Sequence, residues 1–223
     1  MRRLLCLPPL FAALALLFAA EDKAPPLLFE DDFGKGADRW EPSDPKAWKV
    51  IDAKGGKAYS LFNKKSEFTP PHRSPLHYAL VKDLSVGDFV LDVRCKSTIA
   101  DYPHRDLCFF FGYQDKAHFY YAHLGKKTDD HCNQIFIVNG ADRNKISTKT
   151  TDGTPWTDDW HRVKVVRKVA DGTIEVFFDD MKAPAMTATD KTFTWGRVGV
   201  GSFDDTGDFR EVKVYGVKAE KTK

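Results

Sequence analysis

The chain has 223 residues, 34 of them Lys or Arg, 32 Asp or Glu, and 42% hydrophobic. A charge this close to neutral, with acids and bases interleaved, gives no electrostatic footprint for phosphate backbones, so neither nucleic acid nor an anionic membrane surface is an expected partner. No internal repeat or long linker divides the chain, and a β-sandwich of about 200 residues is commonly one domain.

At the start, Arg2 and Arg3 precede an apolar run over residues 4–18, interrupted by Pro8-Pro9 and closed by Ala19-Ala20. That is the layout of a secretory signal peptide over residues 1–20. The run is shorter than the roughly 20 apolar residues a membrane span needs. A secreted or periplasmic location is expected, with no membrane attachment after cleavage; an uncleaved signal anchor is the alternative. Loss of the two arginines takes 34 basic residues to 32, matching the 32 acidic ones.

From residue 27 the chain breaks into short runs rich in Val, Ile, Phe, Tyr and Trp, separated by Gly, Asp, Pro and Asn. Strands are predicted at 28–33, 48–51, 58–62, 76–82, 88–96, 107–114, 118–124, 134–138, 161–169, 173–179, 197–203 and 209–217. In residues 89–95, Asp92 and Arg94 fall on one face and Leu91, Val93 and Cys95 on the other, the pattern of a half-buried strand. Residues 107–111 and 135–138 are apolar on both faces, which suits strands covered on both sides. Ala170-Asp171-Gly172 and Asp115-Lys116 read as hairpin turns.

No helical period persists beyond the leader. Hairpin order without crossover helices implies antiparallel pairing and two sheets packed face to face. The fold class is therefore an all-β antiparallel sandwich over residues 21–217, followed by a charged tail at 218–223. Cys95, Cys108 and Cys132 lack the paired spacing of a zinc site. A disulfide between Cys95 and Cys108, which fall in consecutive predicted strands, and three buried free thiols are both open readings.

Four of the seven histidines fall between residues 102 and 134, among Arg105, Asp106, Tyr113, Gln114, Tyr120, Tyr121 and Gln134. Alternation places His118 and Tyr120 on one face of their strand and Tyr121 and His123 on the other. His118, Tyr120 and Arg94 are the candidate catalytic set for β-elimination on a uronic-acid sugar, with the base taking a proton beside a carboxylate that cationic and amide groups neutralise. Tyr113, Gln134, Trp156 and Asp92 are the candidate substrate-binding residues, because sugar C–H faces stack on aromatic rings while hydroxyls take hydrogen bonds. Asp129-Asp130-His131 reads as a solvated turn with metal-binding chemistry as its alternative.

Three segments carry a family resemblance: Phe29-Glu30-Asp31-Asp32-Phe33, the hairpin from Trp160-His161-Arg162-Val163-Lys164-Val165 to Asp179-Asp180, and the close Gly196-Arg197-Val198-Gly199-Val200-Gly201. On these the chain resembles the concanavalin A-like lectin and glucanase superfamily. The resemblance implies a jelly-roll sandwich and an extracellular polysaccharide or oligosaccharide as partner. It also implies one cofactor, a structural calcium held by Asp31 or Asp32 with Asp208 where the first and last strands meet. Laminin-G-like modules, laminarinase-type glycoside hydrolases, alginate-type lyases and 3-keto-disaccharide hydrolase domains share the frame, but the E-x-D-x-(x)-E strand of the laminarinases is absent here. The functional expectation is a carbohydrate-recognising domain. A glycan-cleaving enzyme, either a glycoside hydrolase or a polysaccharide lyase, is the alternative, and a non-glycan adhesion module is the third reading.

Overall fold

Alternating apolar residues define what each strand buries, and the computed structural model describes this for residues 25–219. The expected signal peptide and the end of the charged tail lie outside the described residues. In chain order, the strands of the first half are β1 (Leu27–Asp31), β2 (Trp40–Pro42), β3 (Trp48–Ala53), β4 (Gly56–Leu61), β5 (His77–Val81), β6 (Val86–Ser97), β7 (Asp106–Asp115) and β8 (His118–Gly125). The second half adds β9 (Gln134–Asn139), β10 (Asn144–Lys145), β11 (Ser147–Thr150), β12 (His161–Lys168), β13 (Thr173–Phe178), β14 (Met186–Thr189), β15 (Arg197–Ser202) and β16 (Gly207–Lys218). A single 3-10 turn, Pro45–Ala47, is the helical element among the described residues, and no helix there is long and apolar enough to cross a membrane.

Two antiparallel sheets result. One has nine strands in the order β11-β14-β13-β12-β6-β16-β4-β3, with β1 also paired to β16, and the other has seven in the order β10-β9-β8-β7-β15-β5-β2. Both expected turns form. β7 and β8 close with Asp115 opposite His118, and Gly172, at φ 83°, provides the left-handed residue between β12 and β13. The sequence pattern missed β2, β10, β11 and β14. They are short and carry polar residues such as Glu41, Asn144, Lys145, Thr148 and Lys149, so no apolar run marks them.

Between the sheets lies the main core. Leu91, Val93 and Cys95 of β6, Val163 and Val165 of β12, and Phe209, Val212 and Val214 of β16 meet Phe109 and Phe111 of β7, Tyr120 and Ala122 of β8 and Val198 and Val200 of β15. A second apolar layer lies on the other face of the seven-stranded sheet, formed by Tyr78, Leu80, Cys108, Phe110, Tyr113, Phe119, Tyr121 and Phe136. Cys95 thus faces the inter-sheet core and Cys108 the opposite side of the other sheet. They form no disulfide, and all three cysteines of the described chain are buried free thiols.

The second layer is covered because residues 62–76 cross over it. Phe68 packs edge-on against Tyr78 at 5.4 Å between ring centroids. Further along the segment, the Arg73 amide donates to Asp142 Oδ1, and the Arg143 amide donates to the Arg73 carbonyl. Arg143 then lays its guanidinium 4.6 Å from the Phe136 ring and 4.2 Å from Phe203, while its Nη1 donates to the Tyr121 hydroxyl. The segments 62–76 and 139–143 together form a strap across the sheet.

Candidate functional site

The strap leaves a hollow of about 400 Å3 beside β2, lined by Ser43, Asp44, Glu67, Phe68, Thr69 and Lys116. Its frame starts at Asp44, which caps the 3-10 turn by accepting from the Lys46 amide at 3.0 Å and also accepts the Glu67 amide at 2.8 Å. The Glu67 amide chiefly, with the Lys46 amide and charge, holds the Asp44 carboxyl below its ordinary range against the effect of burial. Two hydroxyls, Ser43 Oγ and Ser66 Oγ, donate to the Leu76 carbonyl and fix where the strap leaves the sheet. His77 Nε2 lies 3.0 Å from the Lys64 carbonyl and donates to it. Burial lowers the affinity of that ring for a proton, so it serves as a neutral anchor.

Within this frame the half-buried Phe68 ring lines the hollow, with Lys116 Nζ over it 5.5 Å from its centroid and the exposed Glu67 and Thr69 nearby. An apolar ring bordered by hydroxyl, carboxylate and ammonium groups matches the two-sided chemistry of a sugar, and the volume lies in the range of small-molecule sites, about 300–1,000 Å3. Residues 62–76 carry no strand pattern, and nothing in their sequence marks Phe68 as a surface aromatic.

The residues expected to catalyse together lie in two separate places. His118 and Tyr120 do share a neighbour, since both rings pack on Phe193, at 6.1 and 5.0 Å. Tyr120 is fully buried between the sheets, with its hydroxyl donating to Asp190 and accepting the Phe193 amide. Burial, reinforced by Asp190, pushes this phenol up to about 12. The arginine at hand is Arg167, 5.5 Å over the Tyr120 ring and donating to the carbonyls of Gly172 and Phe193. Arg94 is not part of this group: it projects from the outer face of the nine-stranded sheet, with the sandwich core between it and Tyr120. There it shares a shallow hollow of about 230 Å3 with Asp92, Arg162, Glu211, Lys213 and Tyr215. Asp92 holds Arg162 in a two-pronged pair, Oδ1 to Nε 2.9 Å and Oδ2 to Nη2 2.5 Å.

Nor do the expected binding residues form a surface. Tyr113 lies beneath the strap, its hydroxyl 3.1 Å from that of Tyr78. Gln134 donates to the Asp129 carbonyl and braces a turn. Trp156 is a core residue, its indole N–H donating to the Leu124 carbonyl and its ring edge-on to Phe178. Aromatic residues favour strands on their own account, which is why composition alone gathered them.

The expected calcium pair does not meet either. Asp31 is register partner of Val212, whereas Asp208 lies four residues away along β16, on the other side of the bulge at Glu211. Both Asp31 oxygens are taken, one by the Phe33 amide and one by the Trp40 indole N–H. Asp31 and Asp208 do not fit one ion, and Asp32, the alternative to Asp31, is exposed with its Oδ1 accepting the Gly34 amide. Asp129 and Asp130 are occupied by His104 and Lys145, consistent with a solvated turn.

A different cluster lies at the far end of β7 and β8. Asp106 Oδ1 accepts from Ser202 Oγ and the Phe203 amide, both at 3.0 Å, and lies 3.6 Å from Cys108 Sγ and 3.4 Å from His123 Nε2. Burial pushes the Asp106 carboxyl up, yet its neighbour His123 and these hydrogen bonds leave it below its ordinary range. Neighbouring Asp205 is shifted the other way, raised by burial and by Asp106, while Tyr102 and Lys64 donate to it. Sequence reasoning placed Asp106 and His123 in the dense middle but could not pair them with Ser202 and Asp205.

With this geometry in hand, comparison with solved structures locates the fold. The carbohydrate-binding module CBM66 from Bacillus subtilis superposes with a TM-score of 0.56 at 16% identity, covering 79% of this chain and 95% of that one. Domain 4 of AbnA, a GH43 extracellular arabinanase from Geobacillus stearothermophilus solved in complex with arabinotriose, gives 0.56 at 11% identity over 89% and 96%. Lectin I-B4 from Griffonia simplicifolia gives 0.52 at 13% over 83% and 97%. What is shared at these identities is the fold, an all-β sandwich of two antiparallel sheets like those of the carbohydrate-binding module and the lectin. No family model matches the chain, and no curated protein matches it.

Proposed function

We propose that this protein is an exported carbohydrate-binding domain that takes one or two sugar units in the hollow above Phe68. The observation that carries the reading is the half-buried Phe68 ring lining a hollow bordered by Ser43, Glu67, Thr69 and Lys116. A sugar ring stacks its C–H face on such a platform while its hydroxyls bond to the rim. The fold supports this, since it is shared with a carbohydrate-binding module and with a domain solved holding arabinotriose. Binding is preferred over cleavage because His118, Tyr120 and Arg94 do not converge and Tyr120 is held as a neutral phenol in the core. The Arg-led leader supports export, and secreted material should begin near Glu21 by mass spectrometry.

A glycan array followed by calorimetry tests the site. Phe68→Ala should weaken any confirmed ligand by about 1–2 kcal/mol, roughly 5- to 30-fold in Kd. Lys116→Ala should weaken it less. A ligand unaffected by both substitutions but lost with Arg94→Ala would move the site to the other sheet. Release of new reducing ends or unsaturated uronate would revive the enzymatic reading.

A further inference from the structure

From the cluster at the end of β7 and β8 we infer a metal site in which Asp106, Cys108 and His123 bind a divalent transition metal of zinc type. The strand register builds it. Cys108 and His123 are direct cross-strand partners on the face beneath the strap, and Asp106 precedes Cys108 by two residues on that same face. The three donor atoms all lie within 4.8 Å of one another.

The separations fit one ion. A tetrahedral centre with bonds of about 2.0–2.1 Å to N or O and about 2.3 Å to S sets its donors about 3.3–3.4 Å apart for N and O, and about 3.6 Å apart for O and S. Asp106 Oδ1 is 3.4 Å from His123 Nε2 and 3.6 Å from Cys108 Sγ.

The imidazole is the independent sign. His123 is buried, yet among the described residues neither ring nitrogen has a hydrogen-bond partner, and its approach to Asp106 is too poorly aligned to count as one. A buried imidazole left unbonded is an unfavourable arrangement that coordination at Nε2 relieves. Its orientation is fixed by Phe203, stacked at 5.7 Å and 17°, and by the rings of Tyr121 and Phe136. Ser202 and the Phe203 amide orient the Asp106 carboxylate in turn, as outer-shell groups do at metal centres.

Donor softness selects the class of ion. Thiolate and imidazole favour zinc-type metals over calcium or magnesium. The hard alternative, Asp106 with Asp204 and Asp205, is compromised because Lys64 and Tyr102 already bond Asp205. Cys132 Sγ occupies the space that a side chain at Gly125 would take, and Gly125 is the register partner of Asp106, which puts a second thiol beside the site. As the sulfur–metal bond forms, the Cys108 S–H bond breaks and its proton passes to solvent.

The test uses the intact protein, stripped with a chelator and then given Zn2+ or Co2+ alone. One equivalent of Zn2+ should remain after dialysis and raise the thermal midpoint, and Co2+ should give a thiolate charge-transfer absorption with tetrahedral visible bands. Cys108→Ser and His123→Gln should each lower metal affinity at least 10-fold, whereas Cys95→Ala, in the inter-sheet core, should leave it unchanged. Circular dichroism checks that each variant folds, and the wild-type cobalt spectrum needs no variant. Absence of the charge-transfer band in the wild type would overturn the inference, as would stoichiometric binding that survives Cys108→Ser or binding of Ca2+ in preference to Zn2+.

Discussion

On the nine-stranded sheet the outward positions of β6, β12 and β16 hold Asp92, Arg94, Arg162, Lys164 and Lys213, all exposed or half-buried, whereas those of β7 and β8 hold Cys108, Phe110, Phe119, Tyr121 and His123, all buried. The two faces are built on the same pleat, and the difference is what covers them. The first needs nothing more than paired charges in water. The second is an apolar layer that would be unstable in water, and the strap of residues 62–76 with Arg143 covers it. In this sandwich one sheet supplies a surface and the other supplies a second core, so chemistry placed under the strap is shielded while chemistry on the open face is screened by solvent.

The strongest challenge to that contrast is to hollow out the covered layer. Phe110, fully buried under the strap, packs on Tyr78, Phe119 and Tyr121. Phe110→Ala should lower unfolding free energy by about 3–5 kcal/mol in urea titration, while Arg94→Ala on the open face should stay within about 0.5 kcal/mol. Equal effects would mean that the strap does not make a core.

A smaller loss is expected from the strap's own fastening. Arg143→Ala removes contacts to two rings and the bond to the Tyr121 hydroxyl, together worth about 1–2 kcal/mol. Amide exchange should also quicken around β8 and β9 before global unfolding.

On the open face Asp208 is buried, with its carboxyl raised by that burial and its Oδ1 without a hydrogen-bond partner among the described residues. A carboxyl raised in the folded state destabilises above its unfolded value. The penalty grows as pH rises from the ordinary carboxyl range through the folded value. Asp208→Asn should therefore raise the melting temperature at pH 7, with the gain vanishing near pH 3. A gain that persists in acid would point to packing instead of charge.

A small effect belongs to the most conspicuous ion pair. Arg162→Ala breaks the two-pronged contact with Asp92, yet the arginine side chain is 45% exposed, and the loss should not exceed about 1 kcal/mol and should shrink further in 0.5 M salt.

The inter-sheet core was legible because it is written in alternation: Leu91, Val93 and Cys95 against Asp92 and Arg94 announce which side of β6 is wet. Runs apolar on both faces, such as residues 107–111, also announced that something must cover the second face. What covers it was not legible, because Phe68, Arg73 and Arg143 sit in segments without periodicity and meet the sheet only through long-range contacts. The site suffered for the same reason. Tyr113, Tyr120, Gln134 and Trp156 have the right side chains for sugar chemistry, but their orientation is set by partners such as Asp190, Asp129 and Leu124, and no local pattern encodes those.

The short strands that escaped the sequence pattern lie mainly at the margins of the sheets. β2 and β10 end the seven-stranded sheet with three and two residues, and Pro42 in β2 has no N–H to offer. β11 ends the nine-stranded sheet as Ser-Thr-Lys-Thr, and β3 at the other end exposes Lys49 and Asp52. A strand margin is where another copy of the chain could add itself, continuing the ladder into a fibre. Brevity, lysine and proline deny it a template. The polarity that hides these strands from a hydrophobic pattern is thus also what withholds from a second copy an apolar margin on which to extend the sheet.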